Sequence, residues 1–270
     1  MILNFFKKND IESFLGIKGI KVIEFFIKKS ILSQPELLKD QKALPIQIPK
    51  EHLEQWLCHA LKAEPRGSGS YPVDIIKNNK WAADVKMVSH KLKKDGNFST
   101  GQSGETSLGQ KFVDIGKNLD LYFQNSQFDK ILDGYLDVFS KKYKAVEKDY
   151  NINIFFYFMF IRVKNKFFLS IVSLDLDKLE KVEVDYSSIT NTTLSTKNFI
   201  NKNNGSVVIY KSKKRMELRL KPSFLKENNL LYEFDIDFGG IKQKDIYNLV
   251  DSDQSIVEYL NKYINDLFLK

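Results

Sequence analysis

Tyr71-Pro72-Val73-Asp74-Ile75-Ile76, then Lys77-Asn78-Asn79-Lys80, then Trp81-Ala82-Ala83-Asp84-Val85-Lys86-Met87-Val88-Ser89, is the stretch on which the fold turns. Two apolar runs, Val73 to Ile76 and Trp81 to Val88, flank a polar turn and read as paired strands. Side chains alternate across a strand, so Asp84 and Lys86 share one face while Ala83, Val85 and Met87 take the other. A three-residue loop at Asn78 to Lys80 pairs Lys77 with Trp81 and sets Asp74 opposite Asp84; a two-residue loop sets Asp74 opposite Ala83. In the first register the two carboxylates have Cβ atoms roughly 5 Å apart, with a lysine one pleat further along.

That arrangement asks for a cation. Two carboxylates about 5 Å apart repel by roughly 3 kcal/mol at an effective dielectric of about 20, and by under about 1 kcal/mol in bulk water. Trp81, Ala82, Met87 and Val88 indicate a partly buried strand, so the larger figure applies. Mg²⁺ favours one or two carboxylates together with waters and phosphate oxygens. Lys86 would stand beside a scissile phosphate, serving a water and offsetting developing charge.

Asp74, followed ten positions on by Asp84-Val85-Lys86, resembles the PD-(D/E)xK signature of the nuclease superfamily that includes many type II restriction endonucleases. The resemblance implies that Asp74 and Asp84 hold the metal, with the backbone carbonyl of Val85 as a further ligand, and that Lys86 serves the attacking water. It also implies an acid from the helix before the first catalytic strand, Glu54 or Glu64. Val73 separates Pro72 from Asp74 where the family has them adjacent, and the acid of the triplet is Asp. One other such triplet occurs, Asp40-Gln41-Lys42, between Pro35 and Pro45 with no strand pattern around it.

Length and composition bound the rest. A chain of 270 residues, 43% hydrophobic and 13% aromatic, is long enough to bury one large core or two modest ones. A single cysteine, Cys58, excludes an intramolecular disulfide framework and points to a reducing, cytoplasmic setting. The opening apolar run meets Lys7 and Lys8 too soon for a signal peptide. The longest apolar run, Ile154 to Ile161, is too short to span a membrane. A net charge of +8 suits a polyanionic partner, double-stranded DNA here, although a lysine-rich solubilising surface has the same charge.

Outward from the motif, Ile11 to Ser30 reads as a helix capped at Asn9 or Asp10 and broken at Gly16 and Gly19. Prolines mark a connector from Ser33 to Pro49. Leu53, Trp56, Leu57, Ala60 and Leu61 then form a helical stripe that Pro65 ends at Glu64. After the hairpin, the loop from Gly96 to Gly109 is rich in Gly, Ser, Thr and Gln. Ser107 to Gln110 reads as a capping box that opens a helix through Leu108, Phe112, Ile115, Leu119 and Tyr122. A second helix runs from Gln127 to Val146. Ile152 to Val163 is a near-continuous apolar run, as in a strand covered on both faces, and Phe167 to Leu174 returns beside it. Residues 175–204 are polar and weakly patterned. Ser206 to Tyr210 and Met216 to Leu220 form a hairpin with a basic tip, Leu230 to Phe238 a further strand, and a helix starts near Asp253 with Ser255 and Glu258 spaced as a capping box.

The fold expected is α/β: a mixed central β-sheet flanked by helices, restriction-endonuclease-like by resemblance, with additional β-hairpins in the C-terminal part. Its regions are an N-terminal helical region (1–48), a core (49–175), and a β-rich extension with a terminal helix (176–270). Candidate DNA contacts are Arg66, the basic and polar loop residues Lys91, Lys93, Lys94, Ser99, Thr100, Gln102 and Ser103, and the hairpin tip at Lys213, Lys214 and Arg215. The resemblance further implies a homodimer acting with a cognate DNA methyltransferase. Repair or mobile-element nucleases of the same fold, and a non-catalytic nucleic-acid-binding protein, are the alternatives. His52, His59, His90 and Cys58 lack the paired spacing of a zinc site, and the chain has no P-loop and no Gly-x-Ser-x-Gly elbow.

Overall fold

Phe155 to Val163 sets the architecture, because its two faces are both apolar. Phe156, Phe158 and Phe160 point to one side of the sheet, and Tyr157, Met159 and Ile161 to the other, all buried. In this computed structural model residues 1–34, 39–41, 46–66, 71–109, 119–237 and 258 are described. In chain order the elements are β1 (Leu3–Phe5), α1 (Lys8–Leu32), α2 (Lys50–Leu61), β2 (Glu64–Pro65), β3 (Ile75–Lys77), β4 (Trp81–Ser89), β5 (Glu105–Gly109), α3 (Leu119–Gln124), α4 (Phe128–Tyr150), β6 (Phe155–Val163), β7 (Lys166–Leu174), β8 (Glu183–Val184), β9 (Thr193–Lys197), β10 (Gly205–Tyr210), β11 (Arg215–Leu220), α5 (Pro222–Glu227) and β12 (Tyr232–Glu233).

The fold is α/β, and its main sheet is mixed, ordered β1-β7-β6-β4-β3-β2. Within it β4 and β6 run parallel, Asp84 beside Tyr157, while the other pairs are antiparallel. β12 also pairs with β7, so β1 and β12 cover one edge of that strand at its two ends. The parallel pair needs a crossover, which the chain makes through α4.

Helices flank the sheet. On one face α1 and α2 bury Ile11, Leu15, Ile23, Leu53, Trp56 and Leu57 against Ala83, Val85, Phe156 and Phe158. On the other, α4 buries Tyr135, Phe139, Tyr143 and Val146 against Ala82, Phe155 and Tyr157. A second sheet, β5-β11-β10-β9-β8, adds Leu194, Val207, Ile209, Met216 and Leu218 to that same core.

Several local expectations need correction. α1 breaks at Gly16, with φ 65° and ψ 160°, a conformation that costs glycine little, but Gly19 stays helical. The helix starts earlier than Asn9: Lys7 is the N-cap, and its amide donates to Asp10 Oδ2 at 3.3 Å. α2 ends at Leu61, where Lys62 turns left-handed, and Glu64–Pro65 pair with Ile75 and Ile76 as strand β2. Ser107 opens no helix; it lies in β5, opposite Glu217 of β11. Tertiary pairing overrides the local capping signal there. The strand expected from Leu230 to Phe238 forms at Tyr232–Glu233. Residues 110–118 and, apart from Glu258, the C-terminal helix lie outside the described residues.

Candidate active site

The hairpin adopts the three-residue loop. Lys77 pairs with Trp81 and Ile75 with Ala83, and just before β3 the Asp74 amide donates to the Ala83 carbonyl at 3.0 Å. β3 stops at Ile75, so the amide of Val85 has no strand partner on that side. The Asp74 carboxylate takes the vacant position: the Val85 amide donates to its Oδ2 at 2.7 Å. Asp74 is thus pinned in the plane of the sheet by the residue between Asp84 and Lys86.

Asp84 projects to the α4 face and is 3% exposed. Its Oδ2 accepts from Lys142 Nζ at 2.6 Å and from the Tyr143 hydroxyl at 3.1 Å, and Lys86 Nζ lies 3.4 Å from Oδ1. The Tyr143 hydroxyl is 2.8 Å from that of Tyr157, the β6 neighbour of Asp84. Burial favours the neutral acid, but the Lys142 and Lys86 ammoniums outweigh it and hold Asp84 down to about 2. Burial pushes the Lys142 ammonium below its ordinary range, against the pull of Asp84. Burial likewise raises the Tyr143 and Tyr157 phenols, which stay neutral donors.

On the α2 side, Lys50 Nζ lies 2.9 Å from Asp74 Oδ1 and 3.0 Å from Glu54 Oε1. Burial, then the charge on Asp74, raises Glu54 above the usual carboxylate range. Burial opposes the charge on Lys50, but Asp74 and Glu54 overcome it and raise its pKa. Lys50 thus bridges Asp74 and Glu54, while Lys86 and Lys142 hold Asp84.

Glu64 lies apart from this group and pairs with Arg66 at 2.9 Å. Arg66 stays close through its main chain, its amide donating to the Asp74 carbonyl at 2.8 Å, and its guanidinium covers the Tyr150 ring at 4.7 Å.

The remaining candidates divide. Lys91, Lys93, Lys94 and Thr100 are exposed. Ser103 is buried and structural: its hydroxyl accepts from the Leu220 amide at 3.0 Å. Gln102 donates to Ser206 Oγ at 2.9 Å, and the Ser99 carbonyl lies 2.9 Å from His90 Nε2. Burial lowers the His90 pKa, which favours the neutral ring in this loop. At the hairpin tip Lys213 is held by Glu105 and Glu217, whereas Lys214 and Arg215 are exposed without an ion pair among the described residues.

Among the described residues no three His, Cys, Asp or Glu side chains gather as a metal cluster. A closed structural site is thus not what this donor set builds. Asp74, just before β3, and Asp84 of β4 would supply the one or two carboxylates that Mg²⁺ favours beside waters and phosphate oxygens. Asp74 Oδ1 is held by a lysine alone and could be ceded to a metal, while Asp84 would have to share with Lys86 or Lys142.

No family model, curated protein or solved structure matches the chain.

Lys142 and Lys50 are the residues that reasoning from the motif missed. A signal existed for the first: Lys142 lies seven residues after Tyr135 and three after Phe139, on the buried stripe of α4, where a lysine requires a partner. Lys50 carried a weaker one, its i,i+4 spacing to Glu54. No helix among the described residues is long and apolar enough to cross a membrane.

Proposed function

We propose that this chain is a Mg²⁺-dependent endonuclease of the PD-(D/E)xK kind, hydrolysing phosphodiester bonds in double-stranded DNA at a short specific sequence as type II restriction enzymes do. The observation that carries the reading is the Val85 amide on Asp74 Oδ2, which ties Asp74 to the Asp84-Val85-Lys86 triplet, with Lys86 beside Asp84. The mixed sheet between helical layers is compatible with a restriction-endonuclease-like core.

Mg²⁺ bound at these acids would polarise the phosphodiester and lower the pKa of a water. Asp74, anchored by the Val85 amide, and Asp84, anchored by Tyr143, would hold the ion once their lysine partners give way to it. Lys86 would hold the attacking water by hydrogen bonding and stabilise charge on the phosphoryl oxygens. Lys142 keeps Asp84 ionised from behind. Lys91, Lys93, Lys94, Lys214 and Arg215 are free to meet backbone phosphates, and the net charge of +8 favours that encounter. A two-fold symmetric dimer on a near-palindromic site, with a cognate methyltransferase protecting host DNA in the cytoplasm, completes the proposal.

A second reading, a DNA-binding protein without catalysis, draws on one observation: both Asp84 oxygens already have lysine partners. Incubation with unmethylated bacteriophage DNA in Mg²⁺ against EDTA separates the two. Discrete Mg²⁺-dependent fragments, lost in Asp74→Asn, support the nuclease. Salt-sensitive binding without cleavage, unchanged or improved in Asp74→Ala, replaces it with the binder.

A further inference from the structure

We propose that Lys50 is a built-in counter-cation: its ammonium occupies the metal's place between Asp74 and Glu54 in the metal-free protein and is displaced when a divalent ion binds. The inference rests on the nuclease reading of these acids and adds a residue that the PD-(D/E)xK signature does not contain.

The geometry is specific. Lys50 Nζ contacts Asp74 Oδ1 at 2.9 Å and Glu54 Oε1 at 3.0 Å, so one cation bridges carboxylates from two elements, α2 and the segment entering β3. A divalent ion using the same two oxygens needs the same space. Asp74 Oδ2 is anchored separately by the Val85 amide, so Oδ1 keeps its position when the lysine leaves.

Of the three lysines at the site, Lys50 is the one placed to go. Its side chain is 44% exposed, against 21% for Lys142 and 15% for Lys86. It is also the first residue of α2, where the helix dipole disfavours a cation, so the two acids hold it there against the helix. Exposed ion pairs of this kind are weak and easily exchanged. Exchange of a single for a double positive charge leaves the site one unit more positive and frees an ammonium on a four-carbon stem at its mouth. Both changes favour arrival of a phosphate.

The test uses Mn²⁺ as the probe, without DNA. Calorimetric titration of the wild type and of Lys50→Met, with folding checked by circular dichroism, should show Mn²⁺ binding on the order of tenfold tighter in the variant. Should Lys50→Met fail to fold, acetic anhydride labelling of the wild-type protein gives the answer: by mass spectrometry, modification of the Lys50 amine should rise several-fold when Mn²⁺ is added. Equal or weaker Mn²⁺ binding in Lys50→Met, or labelling indifferent to Mn²⁺, overturns the role of Lys50 while Mg²⁺-dependent cleavage by the wild type leaves the nuclease reading standing. No Mn²⁺ binding by either protein overturns the metal site and this inference with it.

Discussion

Replacing Lys142 with methionine removes one charge from the pair it makes with Asp84 and leaves the other inside the protein. In the wild type Asp84 is held at about 2 against an ordinary value of 3.8. That difference corresponds to about 2 kcal/mol of stability, present above pH ~4 and lost as pH falls toward 2, because the unfolded chain binds the proton first. Burial lowers the Lys142 pKa and returns part of this gain, so the pair as a whole contributes little. The variant is different. Asp84, 3% exposed, keeps only Lys86 as a cation, at 3.4 Å, and breaking one side of such a pair costs about 3–5 kcal/mol. Urea denaturation in EDTA at pH 7, followed by tryptophan fluorescence, measures this on the wild type, Lys142→Met, Asp84→Asn and the double variant. The double variant should cost about 2 kcal/mol less than the sum of the singles. Lowering the pH to about 4 should narrow the gap between Lys142→Met and the wild type, since the unpaired Asp84 takes up its proton at a higher pH than the paired one. A Lys142→Met loss under about 1 kcal/mol at pH 7, or a gap that does not narrow, refutes the reasoning.

Lys86→Ala should cut Mg²⁺-dependent cleavage by about 100-fold or more, with a urea midpoint close to the wild type because Lys142 still compensates Asp84; retained turnover in a plasmid-nicking assay counts against Lys86 as the group serving the water. At the hairpin tip, Arg215→Ala should weaken DNA binding uniformly across sequences and reduce the salt slope by about 1, read by fluorescence anisotropy at several salt concentrations. Lys213→Ala should act differently, lowering stability through Glu217, whose side chain is 5% exposed, more than it lowers affinity. Phe158→Ala, on a fully buried side chain of β6, should cost about 3–5 kcal/mol and is checked by the same denaturation.

The hairpin was legible because alternation fixes which side chains share the Asp84 face. Its register was not, since loops of two and three residues both fit the turn and only the Lys77–Trp81 pair decides between them. β6 was legible because a run apolar on both faces has few places to go. β5 was not. Its five residues carry one large apolar side chain, Leu108, and the strand is held by β11, so nothing nearby in sequence distinguishes it from a helix start. The acids of the site could be read from a motif, whereas Lys50 and Lys142 depend on how α2 and α4 lie against the sheet. Neither packing angle is written in a local pattern.

The separation of β5 from its partner has a consequence for synthesis. Gly109 pairs with Met216, about a hundred residues later, so at roughly 5–20 residues per second the strand leaves the ribosome many seconds before β11 exists. The main hairpin has emerged before it, the β6–β7 pair emerges within that interval, and the two can close on one another. Glu105-Thr106-Ser107-Leu108-Gly109 waits, and its polar make-up, which hid it as a strand, also makes it a poor template for pairing with another nascent chain.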